Sequence, residues 1–201
     1  MNPTPFTIRL DEPDRRALRK HFLALAGEDR RLRFGFIASD AVIERYVDDI
    51  NFSRDAVFGV NVESRSFEGI AHLALDKPHA ELGLSVLHHY RKRGVGTALV
   101  SRAMVHARNR QIKVLFMQCL SENRAMMRIA QSLGMRVVTH GPESEARMNL
   151  PSADTLSILS EWVDDHVALH DAALRKASLL HTAAPIPHEP PPRHNIASTI
   201  S

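Results

Sequence analysis

The chain has 201 residues, of which 44% are hydrophobic and 24% charged, with a formal net charge of +3; these values describe one folded domain with a sizeable core and room for an extension. No apolar run approaches the ~20 residues that span a bilayer, and Met1-Asn2-Pro3-Thr4-Pro5-Phe6 lacks the charged and apolar blocks of a secretory signal. A single cysteine, Cys119, excludes an intramolecular disulfide framework and fits a reducing, cytoplasmic setting.

The basic excess is mixed rather than clustered. Arginines between Arg9 and Arg33 alternate with Asp11, Glu12, Asp14, Glu28 and Asp29, and only 5% of residues are aromatic, which leaves little to stack bases. A solvated helical face and a local site for an anion account for the charge better than a nucleic-acid surface does.

In chain order, Phe6 to Leu10 reads as a strand and Asp14 to Ala26 as a helix with Leu18, Phe22 and Leu25 on one face. Gly27 to Gly35 has no clear period and is expected to connect. Ser39 or Asp40 caps a helix reaching about Asp49, with Val42, Ile43, Tyr46, Val47 and Ile50 as its buried stripe. Ala56 to Val62 and Phe67 to Leu75 read as a hairpin around Glu63-Ser64-Arg65-Ser66.

The most informative stretch follows. Leu82, Leu84 and Val86 alternate with Glu81, Gly83 and Ser85, as in a strand with one core face, and from Thr97 to Arg108 the apolar residues Leu99, Val100, Ala103, Met104 and Ala107 recur at helical spacing. Between the two periods lies R-x-x-G-x-G, formed by Arg91, Gly94 and Gly96. Glycines here let backbone N–H groups approach an anion that also feels the positive end of the helix. The spacing is not that of a nucleoside-triphosphate P-loop, and the third glycine and the acidic ribose partner of a dinucleotide fingerprint are missing.

Val114 to Leu120 is an apolar strand, in which Cys119 reads as a small core residue rather than a nucleophile. Asn123 can cap a helix from about Arg124 to Ser132 that Gly134 closes, and Met135 to Thr139 reads as a further strand. Beyond Leu150 a helix is expected from Ser152 or Asp154 to about Leu180, with Leu156, Leu159, Trp162, Val163, Val167, Leu169 and Leu174 on its apolar side. It is expected to pack back on the domain; the other arrangement is pairing with a second copy in a homodimer. From Ala183 the chain is rich in proline and histidine and has too little apolar material to fold alone; its histidines have no metal-ligand spacing. The expected organisation is therefore a domain over 1–150, an amphipathic helix over 151–181 and a disordered tail over 182–201.

The glycine loop, the strand before it and the helix, strand, Asn123-capped helix, Leu133-Gly134-Met135 and strand after it resemble the core of the GNAT superfamily of N-acetyltransferases, over about Phe6 to Leu150. The resemblance implies an α/β fold of the α+β type, a mixed and mostly antiparallel sheet flanked by helices. It implies acetyl-CoA as cosubstrate, held by the backbone of Val86, Arg91, Arg93, Gly94, Val95, Gly96 and Thr97, with charge-assisted bonds from Arg91 and Arg93 and a pantetheine contact from Asn123. Glu81 corresponds to a general base in several relatives. An alkylammonium of pKa about 10.4 is almost wholly protonated at neutral pH, so a base is useful.

The implied activity is transfer of an acetyl group to a primary amine, on a protein or a small molecule, by direct attack in a ternary complex. One departure bears on mechanism: many relatives carry a tyrosine four residues before the helix-ending glycine, and here that residue is Ala130. Water or Ser121 would then protonate the departing sulfur. The alanine also leaves open a non-catalytic acyl-CoA-binding regulator, and the basic helices a DNA-associated protein. The acceptor should meet residues of about 28–50 and the turn after Thr139, whose mixed charges favour neither polyamines nor acidic substrates.

Overall fold

The computed structural model describes residues 5–62 and 66–167. Seven strands form one sheet among these residues, in the order β1-β2-β3-β4-β5-β7-β6. They are β1 (Thr7–Leu10), β2 (Ala56–Val62), β3 (Ser66–Asp76), β4 (His79–Val86), β5 (Val114–Leu120), β6 (Arg136–His140) and β7 (Glu143–Asn149). All neighbours are antiparallel except β4 and β5. The mixed, mostly antiparallel sheet is the expected architecture.

One face of the sheet carries α1 (Arg15–Leu23), α2 (Gly27–Phe34) and α3 (Asp40–Asp48). Leu18, Phe22 and Leu25 are buried here with Ile43, Val47, Val57 and Ile70. Phe22 lies 5.3 Å from the Tyr46 ring and 6.0 Å from Phe34, in edge and tilted geometries that suit aromatic quadrupoles. The Ser39 side chain caps α3 by accepting the Val42 N–H at 3.4 Å.

Two expectations fail on this face. Residues 27–34 are a helix rather than a connection, ended by Gly35 in the left-handed region at φ 84. Its period was hidden because α2 buries no residue fully and is stabilised by ion pairs such as Arg31 with Glu28 at 2.8 Å. Val42 is exposed instead of belonging to the stripe, because Ile43, Tyr46 and Val47 form the inward side of α3.

The opposite face is covered by α4 (Val95–Asn109) and α5 (Arg124–Ser132). Leu99, Val100, Ala103 and Ala107 are buried against Phe58, Leu73, Leu82 and Leu115. Asn123 caps α5, its Oδ1 accepting the Met126 N–H at 3.1 Å. Cys119 is half-buried beside this core, and burial raises its thiol pKa. The strand β7 was not read from the sequence: Glu143-Ser144-Glu145-Ala146-Arg147 alternates polar residues with one alanine, and its place between β5 and β6 depends on pairing with distant residues.

A further helix spans 155–167 and packs on α4, but by the side opposite to that expected. Leu156 is 77% exposed and Trp162 55%, while Ser157 and Glu161 are buried. The outer side of α4 explains the inversion. Glu161 accepts from His106 at 2.7 Å, Asn109 at 2.7 Å and Arg110 at 2.8 Å, and Arg102 pairs with Asp165. Burial raises the Glu161 pKa, but the His106 and Asn109 hydrogen bonds and the Arg110 charge outweigh it and bring the value to about 2. The rest of the expected helix, the Pro/His-rich tail and the hairpin turn at 63–65 lie outside the described residues.

Candidate active site

The site arises where the sheet divides. Strands β4 and β5 pair only over His79 to Glu81 with Val114 to Phe116, and beyond Glu81 they have no mutual register. The β5-facing backbone of residues 82–86 is thereby left without a strand partner. The opening is a cleft of about 460 Å³ lined by Leu84, Ser85 and Val86, by α5 through Met126 and Ile129, and by α2 through Asp29, Leu32 and Arg33. It is therefore reached from both faces of the sheet.

Gly94, Val95, Gly96 and Thr97 line one end of the cleft. Gly94 has φ 81 and N-caps the fifteen-residue α4 with no side-chain cap. The N–H groups of the first helical turn have no intrahelical acceptors and offer an anion both hydrogen bonds and the positive helix end. A Cβ on Gly96 would lie 2.8 Å from Ile129 Cδ1 and 3.4 Å from Leu84 Cδ2, so a side chain there would press α4 away from α5 and β4. Asn123 lines the same cleft beside its capping role.

The two loop arginines diverge. Arg91 lines the cleft, but its guanidinium is held by Asp29 at 2.6 Å and its Nε donates to Val86 O at 3.1 Å. That bridge fastens α2 to the loop. Arg93 lies over the Tyr90 ring at 5.6 Å and lines a different groove, beside Phe6 and Ser101. Lys92 and Arg128 are the other basic residues at the cleft.

Glu81 does not line the cleft. It is exposed, at the last residue of β4 that pairs with β5. The strand alternation puts Glu81 on the α1–α3 face with Gly83 and Ser85. Ser121, the expected alternative acid, donates its hydroxyl to Gly141 O at 3.0 Å and is not at the cleft. Ala130 is fully buried in the core between α5 and the sheet.

Sequence reasoning missed a polar chain on this face. Arg33 Nη2 donates to Tyr46 Oη at 2.7 Å, which lies 2.7 Å from His72 Nδ1, and His72 Nε2 lies 3.3 Å from Asp55 Oδ2. The Asp55 carboxylate accepts the Nε2 proton, so Nδ1 accepts from Tyr46, whose oxygen accepts from Arg33. From Tyr46 to Asp55 the chain is satisfied with His72 neutral, and burial lowers the His72 pKa. Burial raises the Asp55 pKa, but hydrogen bonds from Arg54 and His72 outweigh it and keep the carboxyl below its usual range. A second buried pair supports the cleft: His21 Nδ1 donates to Phe67 O at 2.8 Å, and its Nε2 takes the Ser85 hydroxyl at 2.8 Å. These links join residues 13 to 64 positions apart, so no local pattern announces them.

The parallel β4/β5 pair thus opens into a cleft with backbone donors that suit an anion at one end. Residues 8–136 match the family model described as acetyltransferase (GNAT) domain. The chain belongs to the GNAT acetyltransferase family. Its fold is similar to the GNAT domain of S. lividans PAT, at 17% identity over 72% of this chain and 89% of that one, with a TM-score of 0.62. It is similar to the ribosomal-protein-S18-alanine N-acetyltransferase of Escherichia coli, at 16% identity over 76% and 97% of the two chains, TM-score 0.56. It is also similar to yncA, a putative acetyltransferase from Salmonella typhimurium solved with its cofactor acetyl-CoA, at 16% identity over 76% and 97%, TM-score 0.57. No curated protein matches the chain in sequence.

Proposed function

We propose that the protein transfers an acetyl group from acetyl-CoA to a primary amine by direct attack. The observation that carries the reading is the cleft between the parted strands, which runs to the amino end of α4 at Gly94 and Gly96. The presence of acetyl-CoA in one structural neighbour and the N-acetyltransferase activity named for another support it. Bound acetyl-CoA supplies an activated thioester carbonyl.

The chain's own groups have separable tasks. The N–H groups of Gly94 to Thr97 take the diphosphate, with Lys92 and Arg128 adding charge at the cleft. Arg91 acts indirectly, by holding Asp29 and hence α2 against the loop. The unpaired backbone beyond Glu81 provides donors for negative charge developing on the carbonyl oxygen. Glu81 accepts the amine proton, directly or through water, as the new C–N bond forms and the C–S bond breaks. The thiolate, with an ordinary pKa of about 8.5, leaves and is protonated from solvent.

Calorimetry with acetyl-CoA tests the binding step. Submicromolar to micromolar affinity is expected in the wild type, and its loss in Gly94→Val and Gly96→Leu proteins that remain folded; unchanged binding in both would refute the loop's role. Thiol release in the presence of amines tests the chemistry. Binding without amine-stimulated release would assign the protein to acyl-CoA sensing instead.

A further inference from the structure

Arg33 stands apart from the other arginines of α2 and from Arg91; Arg128, across the cleft on α5, has no ion-pair partner among the described residues either but is exposed. Arg30, Arg31 and Arg91 are paired with Asp40, Glu28 and Asp29. Arg33 has no carboxylate partner among the described residues; its one hydrogen bond goes to Tyr46, and its Nε is buried without a partner. The guanidinium is stacked 5.1 Å from the Phe34 ring centroid and 5.4 Å from Tyr46, and lines the cleft. It rests on Gly83: a Cβ there would lie 2.5 Å from Arg33 Cζ. The bare strand, the two rings and the Tyr46–His72–Asp55 chain thus hold one uncompensated cation at a set point on β4.

Glu81 is two residues along the same face of that strand, and it too has no ion-pair partner among the described residues. Two strand residues span about 6.6 Å. An ammonium and a carboxylate one or two carbons apart, each making a charge-assisted hydrogen bond of about 2.8 Å, bridge that distance. A half-buried cation and a nearby anion that do not satisfy each other are complementary to a zwitterion.

We propose that Arg33 and Glu81 recognise the acceptor as a small amino acid, Arg33 taking its carboxylate while Glu81 receives the amine proton. The proposal rests on the acetyltransferase reading and adds the substrate class. Arg33 is on α2, which forms the α1–α3 side of the opening, so the acceptor approaches from that face while the phosphates of the donor occupy the α4 end. The same arrangement disfavours an internal protein lysine, whose amine is far from any carboxylate.

The experiment measures kcat/KM for matched pairs, an amino acid and its carboxamide (glycine with glycinamide, alanine with alaninamide), at equal concentrations of neutral amine and saturating acetyl-CoA. The wild type should prefer the carboxylate roughly 10- to 100-fold. In Arg33→Met and Arg33→Gln that ratio should fall towards one, with Arg33→Lys intermediate and with acetyl-CoA affinity by calorimetry within about two-fold of wild type. Gly83→Ala, which displaces the guanidinium without removing it, should also lower the ratio. Equal rates for both members of each pair in the wild type, or an unchanged ratio in the Arg33 variants, overturns the proposal. A preference for succinyl-CoA over acetyl-CoA that Arg33→Met abolishes also overturns it, assigning Arg33 to an acyl carboxylate. Loss of the ratio accompanied by loss of cofactor binding in every Arg33 variant overturns it in favour of a structural role. Failure of the wild type to bind acetyl-CoA at all refutes the acetyltransferase reading itself, a result distinct from binding without carboxylate preference.

Discussion

His21 makes the stability of the cleft wall depend on pH. The ring is buried, and burial, reinforced by the Arg33 charge and only partly opposed by the Phe67 carbonyl, lowers its pKa from 6.5 to about 4. The unfolded chain therefore binds this proton more readily than the folded one, and protonation opposes folding. The contribution of His21 is intact above its unfolded value and is lost as pH falls towards the folded one. The gap between these two values is worth about 3 kcal/mol in full. About 1.5 kcal/mol is lost by pH 5.5 and about 2.5 kcal/mol by pH 4.5. The assay is urea unfolding of wild type and His21→Gln across this range, because Asp55, His72, His106 and Glu161 titrate in both proteins and cancel in the difference. The wild-type advantage should shrink by about 2.5 kcal/mol between pH 7.5 and pH 4.5. A difference that stays constant with pH would refute the neutral, buried His21 that orients the Ser85 hydroxyl.

Glu81→Gln should lower kcat by about 10²-fold or more while leaving acetyl-CoA affinity within a factor of two, read by steady-state kinetics beside calorimetry. Glu161→Ala removes the common acceptor of His106, Asn109 and Arg110 and should cost about 3 kcal/mol in chemical unfolding. Hydrogen exchange should then rise in residues 155–167 before it rises in the sheet. Phe22→Ala empties the centre of the α1–α3 core and should cost about 3–5 kcal/mol, lowering the thermal midpoint.

Much of the fold is legible because its signals are local. Alternation in β4, the helical period of α4 and the capping side chains Ser39 and Asn123 each act over a few residues, and the structure places them as expected. The glycine loop is legible for the same reason: Gly94 is needed where φ is 81, whatever the rest of the chain does. The helix α2 was not legible because an amphipathic period weakens when ion pairs replace buried contacts. The helix at 155–167 was read with the wrong side inward because its hydrophobic period carries no information about the basic, half-buried surface of α4 that Glu161 joins.

By itself, then, the sequence determined the strand–loop–helix that offers backbone donors to a phosphate, and through it the family. Only the tertiary structure decided which charges meet: that Arg91 holds Asp29, that Arg93 turns to another groove, and that Arg33 lies unpaired on Gly83 near Glu81. The physical reason is separation along the chain. Backbone conformation and capping are set by near neighbours, whereas Arg33 and Gly83 are brought together by the packing of α2 on a sheet whose strands come from the whole domain.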